Sequence, residues 1–178
     1  MTYAPLFRLR VLPACWRGPI MAFVLVAVAG YAVGLVFVGY NTQMRPEGIV
    51  LHYDGNEESM HFGKSPAEML EIVHNHLLGM GVLFFALACL LNGTDWRGRA
   101  KAFWATETLL SLFTTFGGLW LVASGQRWAL WIVYPSSILM ALGFCLMAGA
   151  VMWNCLTPDN SSRRSANQSL LAQRQGAA

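Results

Sequence analysis

Charge is what this chain has least of. Of 178 residues only 12% are charged, about half the roughly 25% of an ordinary soluble domain. That shortage excludes a typical water-soluble fold. Cysteine is also sparse. Cys15, Cys89, Cys145 and Cys155 show no metal-ligand spacing, which argues against a zinc knuckle or a disulfide framework and leaves reduced, small apolar side chains. Histidine is rarer than its setting suggests. All four are at or before position 76, so three of the four apolar runs described below carry none, and a di-haem centre between facing helices lacks its ligands. There is one Glu-x-x-His, at Glu71 and His74, where carboxylate-bridged di-metal bundles need two. No Ser/His/Asp or Cys/His arrangement indicates an enzyme. The basic residues are not interleaved with aromatics in the manner of a nucleic-acid surface, so no nucleic-acid partner is expected. No small-x-small cleavage site follows the first apolar run, which is too long for a signal peptide and reads as an uncleaved anchor.

What the chain has in plenty is hydrocarbon. Hydrophobic residues make up 56%, and the mean hydropathy is +0.46. Four runs, at about 20–40, 72–92, 103–123 and 129–153, are each long enough to cross the roughly 30 Å of a bilayer core. The expected fold is therefore an all-α integral membrane four-helix bundle over residues 1–157, followed by a disordered tail at 158–178 rich in Ser, Asn, Gln and Arg. Trp128 and Trp131 mark one membrane interface and Trp153 the other.

Basic residues set the expected orientation. Nine of the twelve flank the first run, the second-to-third turn and the C-terminus; only Arg45, Lys64 and Arg127 lie in the other connections. Both termini are then cytoplasmic, the membrane is a bacterial inner membrane, and the loop between helices one and two faces the periplasm.

That loop, residues 41–64, holds two basic residues against four acids. Gly48 to Tyr53 is β-prone, Asp54-Gly55-Asn56 signals a turn, and Ser59 to Phe62 is suited to pair back. One register sets His52 opposite His61, and a tighter turn sets it opposite Glu57. The next helix starts at Ser65, with Pro66 at its first position and Glu68 completing a capping box.

Small residues suggest helix contacts. Gly30-x-x-x-Gly34 offers a close-approach face on the first helix, and Ser137, Ala141, Cys145 and Gly149 form a seam on the fourth. Glu107, Ser111, Thr114 and Gly118 line one face of the third. Glu107 either snorkels toward Arg99 or Lys101 or takes a proton-relay or ligand role. Pro135 predicts a kink or an early helix start.

The candidate site is the histidine cluster: His74 and His76 at the mouth of the second helix, Glu71 one turn above, and His52 and His61 in the loop. His74 and His76 are about 200° apart on a helical wheel, so one helix cannot close both on a single ion. Glu71 and His74 share a face. A copper or zinc ion on His52, His61, Glu71 and one helix histidine, or one haem with His74 or His76 as axial ligand, is one reading. A structural role, pinning the loop by hydrogen bonds, is another. A catalytic base is a third.

His74-Asn-His76-Leu-Leu-Gly-Met-Gly81 resembles the His-x-His-x-x-x-x-Gly stretch of proteins similar to the catalytic subunit of haem–copper oxidases. That resemblance implies intramembrane histidines that bind haem or copper. As a whole the chain resembles an uncharacterised group of bacterial four-span inner-membrane proteins with His-x-His opening the second span. The expected function is an accessory or electron-transfer-associated subunit with a periplasm-facing His/carboxylate site. The alternative is a purely structural or assembly subunit. Partners would be the lipid bilayer and other membrane or periplasmic subunits.

Overall fold

A computed structural model describes residues 7–56, 60–157 and 159. The protein is mostly helical. Four helices are long and apolar enough to cross a membrane: α1 (Ala14–Thr42), α3 (Pro66–Leu91), α4 (Gly98–Ala123) and α5 (Leu130–Leu156), the last preceded by a 3₁₀ turn at Arg127–Ala129. A short helix α2 (Pro46–Tyr53) and two-residue strands β1 (Gly55–Asn56) and β2 (His61–Phe62) lie between α1 and α3. The tail expected to be disordered at 158–178, apart from residue 159, and the hairpin tip at 57–59 lie outside the described residues.

The core is α3, α4 and α5, and its largest interface is α4 against α5. Small side chains let those two helices close. An ideal Cβ on Gly143 would sit 2.0 Å from Thr108 Oγ1, and one on Gly118 would sit 2.6 Å from Val133 Cγ2. Between these two close approaches Thr115 Oγ1 donates to Ser136 Oγ at 2.8 Å. A hydroxyl pair facing inward satisfies itself where water is absent. Phe144 forms the hub: it stacks on Tyr31 of α1 at 4.3 Å and meets Phe84 of α3 at 6.0 Å.

Two expected faces are corrected by these contacts. The seam on α5 runs through Ser136, Met140, Gly143 and Met147, all buried, while Cys145 and Gly149 are exposed. The used face is thus rotated by about one residue, or 100°, from the expected one. On α1, a Cβ at Gly30 or Gly34 would meet nothing within 4 Å. Among the described residues, no other element packs against the Cβ side of that glycine pair. Apart from α2, α1 leans chiefly on α5.

The segment 48–53 is helical, not a strand. Pro46 occupies the first turn with Glu47 beside it, a sound helix start. α1 ends because Gln43 and Met44 take positive φ values of 52° and 55°, which reverses the chain. Gly48 then lies so close to α1 that a Cβ would fall 1.9 Å from the Thr42 carbonyl oxygen. Only glycine fits there. The strands pair Gly55 with Phe62 and Asn56 with His61. Neither expected register for His52 occurs, since His52 is helical.

α3 begins as expected. Ser65 Oγ accepts from Glu68 N at 3.3 Å, and Ser65 N donates to Glu68 Oε2 at 2.8 Å.

At the opposite end of the bundle the N-terminal segment straps the helices together. Leu9 is fully buried, and its N–H donates to the Gly93 carbonyl at 2.9 Å. Arg10 Nε reaches Asp95 at 2.6 Å and Asn154 Oδ1 at 3.2 Å. Arg17 Nη1 donates to the Cys155 carbonyl at 3.2 Å. Buried Lys101 donates to the carbonyls of Asn92 (2.9 Å) and Thr94 (2.7 Å), closing the α3–α4 turn.

Candidate functional site

All four histidines lie at one end of the bundle, which we call the histidine end. Its cap is built from α2, the β1–β2 hairpin and the start of α3. His52, in the last turn of α2, is half-buried and sits edge-on to the Tyr53 ring at 4.8 Å. Burial pushes its imidazole below the usual value, and the neighbouring Lys64 and His61 push the same way. Burial likewise raises the Tyr53 phenol. His61, on β2, is exposed beside an open polar depression shared with Asp54, Asn56 and Arg127. Arg127 Nε approaches Asp54 Oδ2 at 3.8 Å. This ties the cap to the α4–α5 turn, though an exposed pair of this kind contributes little stability.

The α3 histidines diverge as the helical wheel requires. His76 Nδ1 donates to the Ile72 carbonyl at 2.7 Å, and its ring stacks on Phe116 of α4 at 4.3 Å. A carbonyl only accepts, so the proton is fixed on Nδ1. His76 is therefore a strut between α3 and α4. His74 and Glu71 are exposed on another face of α3.

The expected metal set is thus divided. His52 and His61 lie within electrostatic reach of each other in the cap, His76 is engaged with α4, and Glu71 and His74 share the outer wall. Among the described residues no three His, Cys, Asp or Glu side chains form a group able to hold a metal ion. As arranged, His52, His61, Glu71, His74 and His76 are not gathered into one ligand set.

Glu107 does not pair with Lys101. Ser111 Oγ donates to its Oε1, while Lys101 turns to backbone carbonyls. Glu107 Oε2 is buried without a partner among the described residues. On the polar stripe of α4, Ser111 and Gly118 face inward and Thr114 faces out. The inward hydroxyls at Thr108 and Thr115 are one position away from that stripe.

The basic end was legible only as flanking charge. Its geometry separates six cations into two sets. Arg10, Arg17 and Lys101 are spent on internal partners. Arg8, Arg97 and Arg99 are exposed. Nothing in residue spacing alone distinguishes the two.

Comparison with known proteins adds one finding. A family model described as a transmembrane helical domain, Aq_1264_TM, matches residues 43–162. The match takes in the cap and α3 to α5 and leaves α1 outside. It carries no haem–copper oxidase relationship. No curated protein and no solved structure matches significantly.

Proposed function

The chain belongs to the Aq_1264_TM family of transmembrane helical domains, and on that premise we propose that it is a structural or assembly subunit of a larger membrane complex. The observation that carries this reading is the open face of α1. Gly30 and Gly34 stack one turn apart, a Cβ added to either would meet nothing within 4 Å among the described residues, and exposed Val33 and Phe37 lie beside them. A glycine in a helix interior costs about 1 kcal/mol relative to alanine. Lipid returns nothing for it, whereas a second helix gains close backbone approach. α1 also lies outside the family match, so the matched unit is α2 to α5 and α1 is the element free to serve a partner. The partner is a transmembrane helix of another subunit.

The orientation in this reading follows the positive-inside rule: both termini in the cytoplasm, the cap in the periplasm, the membrane a bacterial inner membrane. A metal or haem centre is the second reading. It rests only on the proximity of His52 and His61, and metal analysis of purified protein with a visible spectrum tests it. A Soret band or stoichiometric copper or zinc would favour it over the assembly role.

The test of the leading reading uses Gly34→Leu. Native gels of mild-detergent extracts should show the parent protein in a species larger than the monomer. The variant should shift to monomer size with unchanged melting, because a side chain there meets no other element among the described residues. A parent protein that migrates as a monomer, or a variant that keeps the larger species, overturns the reading.

A further inference from the structure

We propose that the basic end is a binding collar for anionic phospholipid headgroups, with Arg8, Arg97 and Arg99 as the groups that take the phosphate. The inference holds whichever way the protein faces the membrane and does not depend on the assembly role.

Six cations gather at this end, against Asp95 and Asp159 among the described residues. Three are consumed by the fold. Arg10 is held by Asp95 at 2.6 Å and Asn154 at 3.2 Å, Arg17 by the Cys155 carbonyl, and Lys101 by two turn carbonyls. Asp95 is thereby spent as well. Arg8, Arg97 and Arg99 are exposed, and no ion pair or side-chain hydrogen bond engages them among the described residues. They are also brought together. The Leu9–Gly93 backbone bond lays Arg8 beside the α3–α4 turn, within electrostatic reach of Lys101. Arg97 caps α4 and Arg99 lies in its first turn.

This end also presents large rings outward. Trp16, Phe103 and Trp153 are 64%, 57% and 62% exposed. Free guanidiniums at the same end as exposed rings match a ligand with a phosphate head and a hydrocarbon body. A soluble phosphate would meet the charges and leave the rings unused. Zwitterionic headgroups offer the same phosphate beside a cation that the arginines repel, so selection favours net negative lipids.

The full chain in zwitterionic detergent is titrated with phosphatidylglycerol and, separately, phosphatidylcholine, and bound lipid is counted by native mass spectrometry. Phosphatidylglycerol should bind the parent protein well above phosphatidylcholine, and more weakly as salt rises. Each of Arg8→Gln, Arg97→Gln and Arg99→Gln should weaken it about fivefold, and the triple variant by more than tenfold. Arg45→Gln with Arg127→Gln, at the histidine end, should leave it unchanged. Melting in lipid-free detergent monitors the fold; should the triple variant fail to fold, Arg99→Gln alone carries the test. Equal binding of the two lipids overturns the proposal, as does loss at the histidine-end control. Displacement by millimolar inorganic phosphate would make this a soluble-phosphate site and overturn it equally.

Discussion

Replacing Gly143 by alanine asks whether the α4–α5 contact sets the stability of the bundle. The added Cβ would lie 2.0 Å from Thr108 Oγ1, so that oxygen must withdraw by about 1.4 Å to reach the 3.4 Å of ordinary contact. It cannot do so freely. Thr108 Oγ1 donates to the Trp104 carbonyl at 2.7 Å, and moving χ1 to another well breaks that bond. The alternative is to part the helices, which loosens Thr115–Ser136 about two turns along. Overpacking of this kind costs about 1–3 kcal/mol. Thr108→Ala removes the offending atom and leaves a Cβ 3.2 Å away, a tenths-of-an-ångström adjustment. It should cost less than about 1 kcal/mol, since alanine also improves helix propensity. The double variant should recover most of the loss, for a coupling of at least about 1 kcal/mol. Unfolding in mixed detergent–SDS micelles, read by tryptophan fluorescence, gives all four corners of the cycle. Parent-like stability of Gly143→Ala, or strict additivity in the double variant, would refute the reasoning.

Gly48→Ala should dislodge the cap, because its neighbour is the Thr42 backbone, which no side-chain motion relieves; faster proteolysis between residues 43 and 62 with an intact α3–α5 core is the expected sign. Lys101→Met should cost about 2–3 kcal/mol by leaving the Asn92 and Thr94 carbonyls without their charged donor, measured by the same micelle unfolding. Reporter fusions at Asn56 and Ala178 should report opposite compartments; a shared compartment would contradict the three spans α3, α4 and α5 between them. His52 gives a pH dependence of defined sign. Its folded value is depressed below the ordinary 6.5, so the cap keeps its full stability above that pH. As the pH falls below 6.5 the unfolded chain takes the proton first, and stability is lost until the folded imidazole titrates as well. Protection factors over 46–62, taken relative to the intrinsic exchange rate at each pH, should therefore fall on acidification, and His52→Gln should flatten the response.

The spans and the helix start at Ser65 were legible because each is written locally. An apolar run of this length has few alternatives, and Ser65, Pro66 and Glu68 satisfy one another within four residues. The cap was not, because β-branched residues at 49 and 50 argued for a strand while Pro46 and Glu47 argued for a helix start. The close fit of Gly48 on Thr42, a tertiary contact, is consistent only with the helix. The small-residue faces failed for a related reason. Glycine spacing marks where a helix can be approached, not by what, so Gly30 and Gly34 were indistinguishable in sequence from Gly143 and Gly118. For the candidate site, the wheel separated His74 from His76 correctly. It had no means of finding Phe116 as the partner of His76, since that contact needs the register of α3 on α4.

α1 is held like a beam clamped at both supports. At one end the strap and Arg17 fasten it to the α3–α4 turn and to the close of α5. At the other, the Gln43–Met44 reversal and the Gly48–Thr42 fit leave the joint no slack. Between the supports Tyr31 on Phe144 is the main prop. A lateral load at Gly30 and Gly34 then deflects the middle of the span, and the reaction is borne at the joints. One of those joints carries α2 and the histidine cap. Whatever presses on that bare stretch inside the bilayer is felt outside it as torque on the cap.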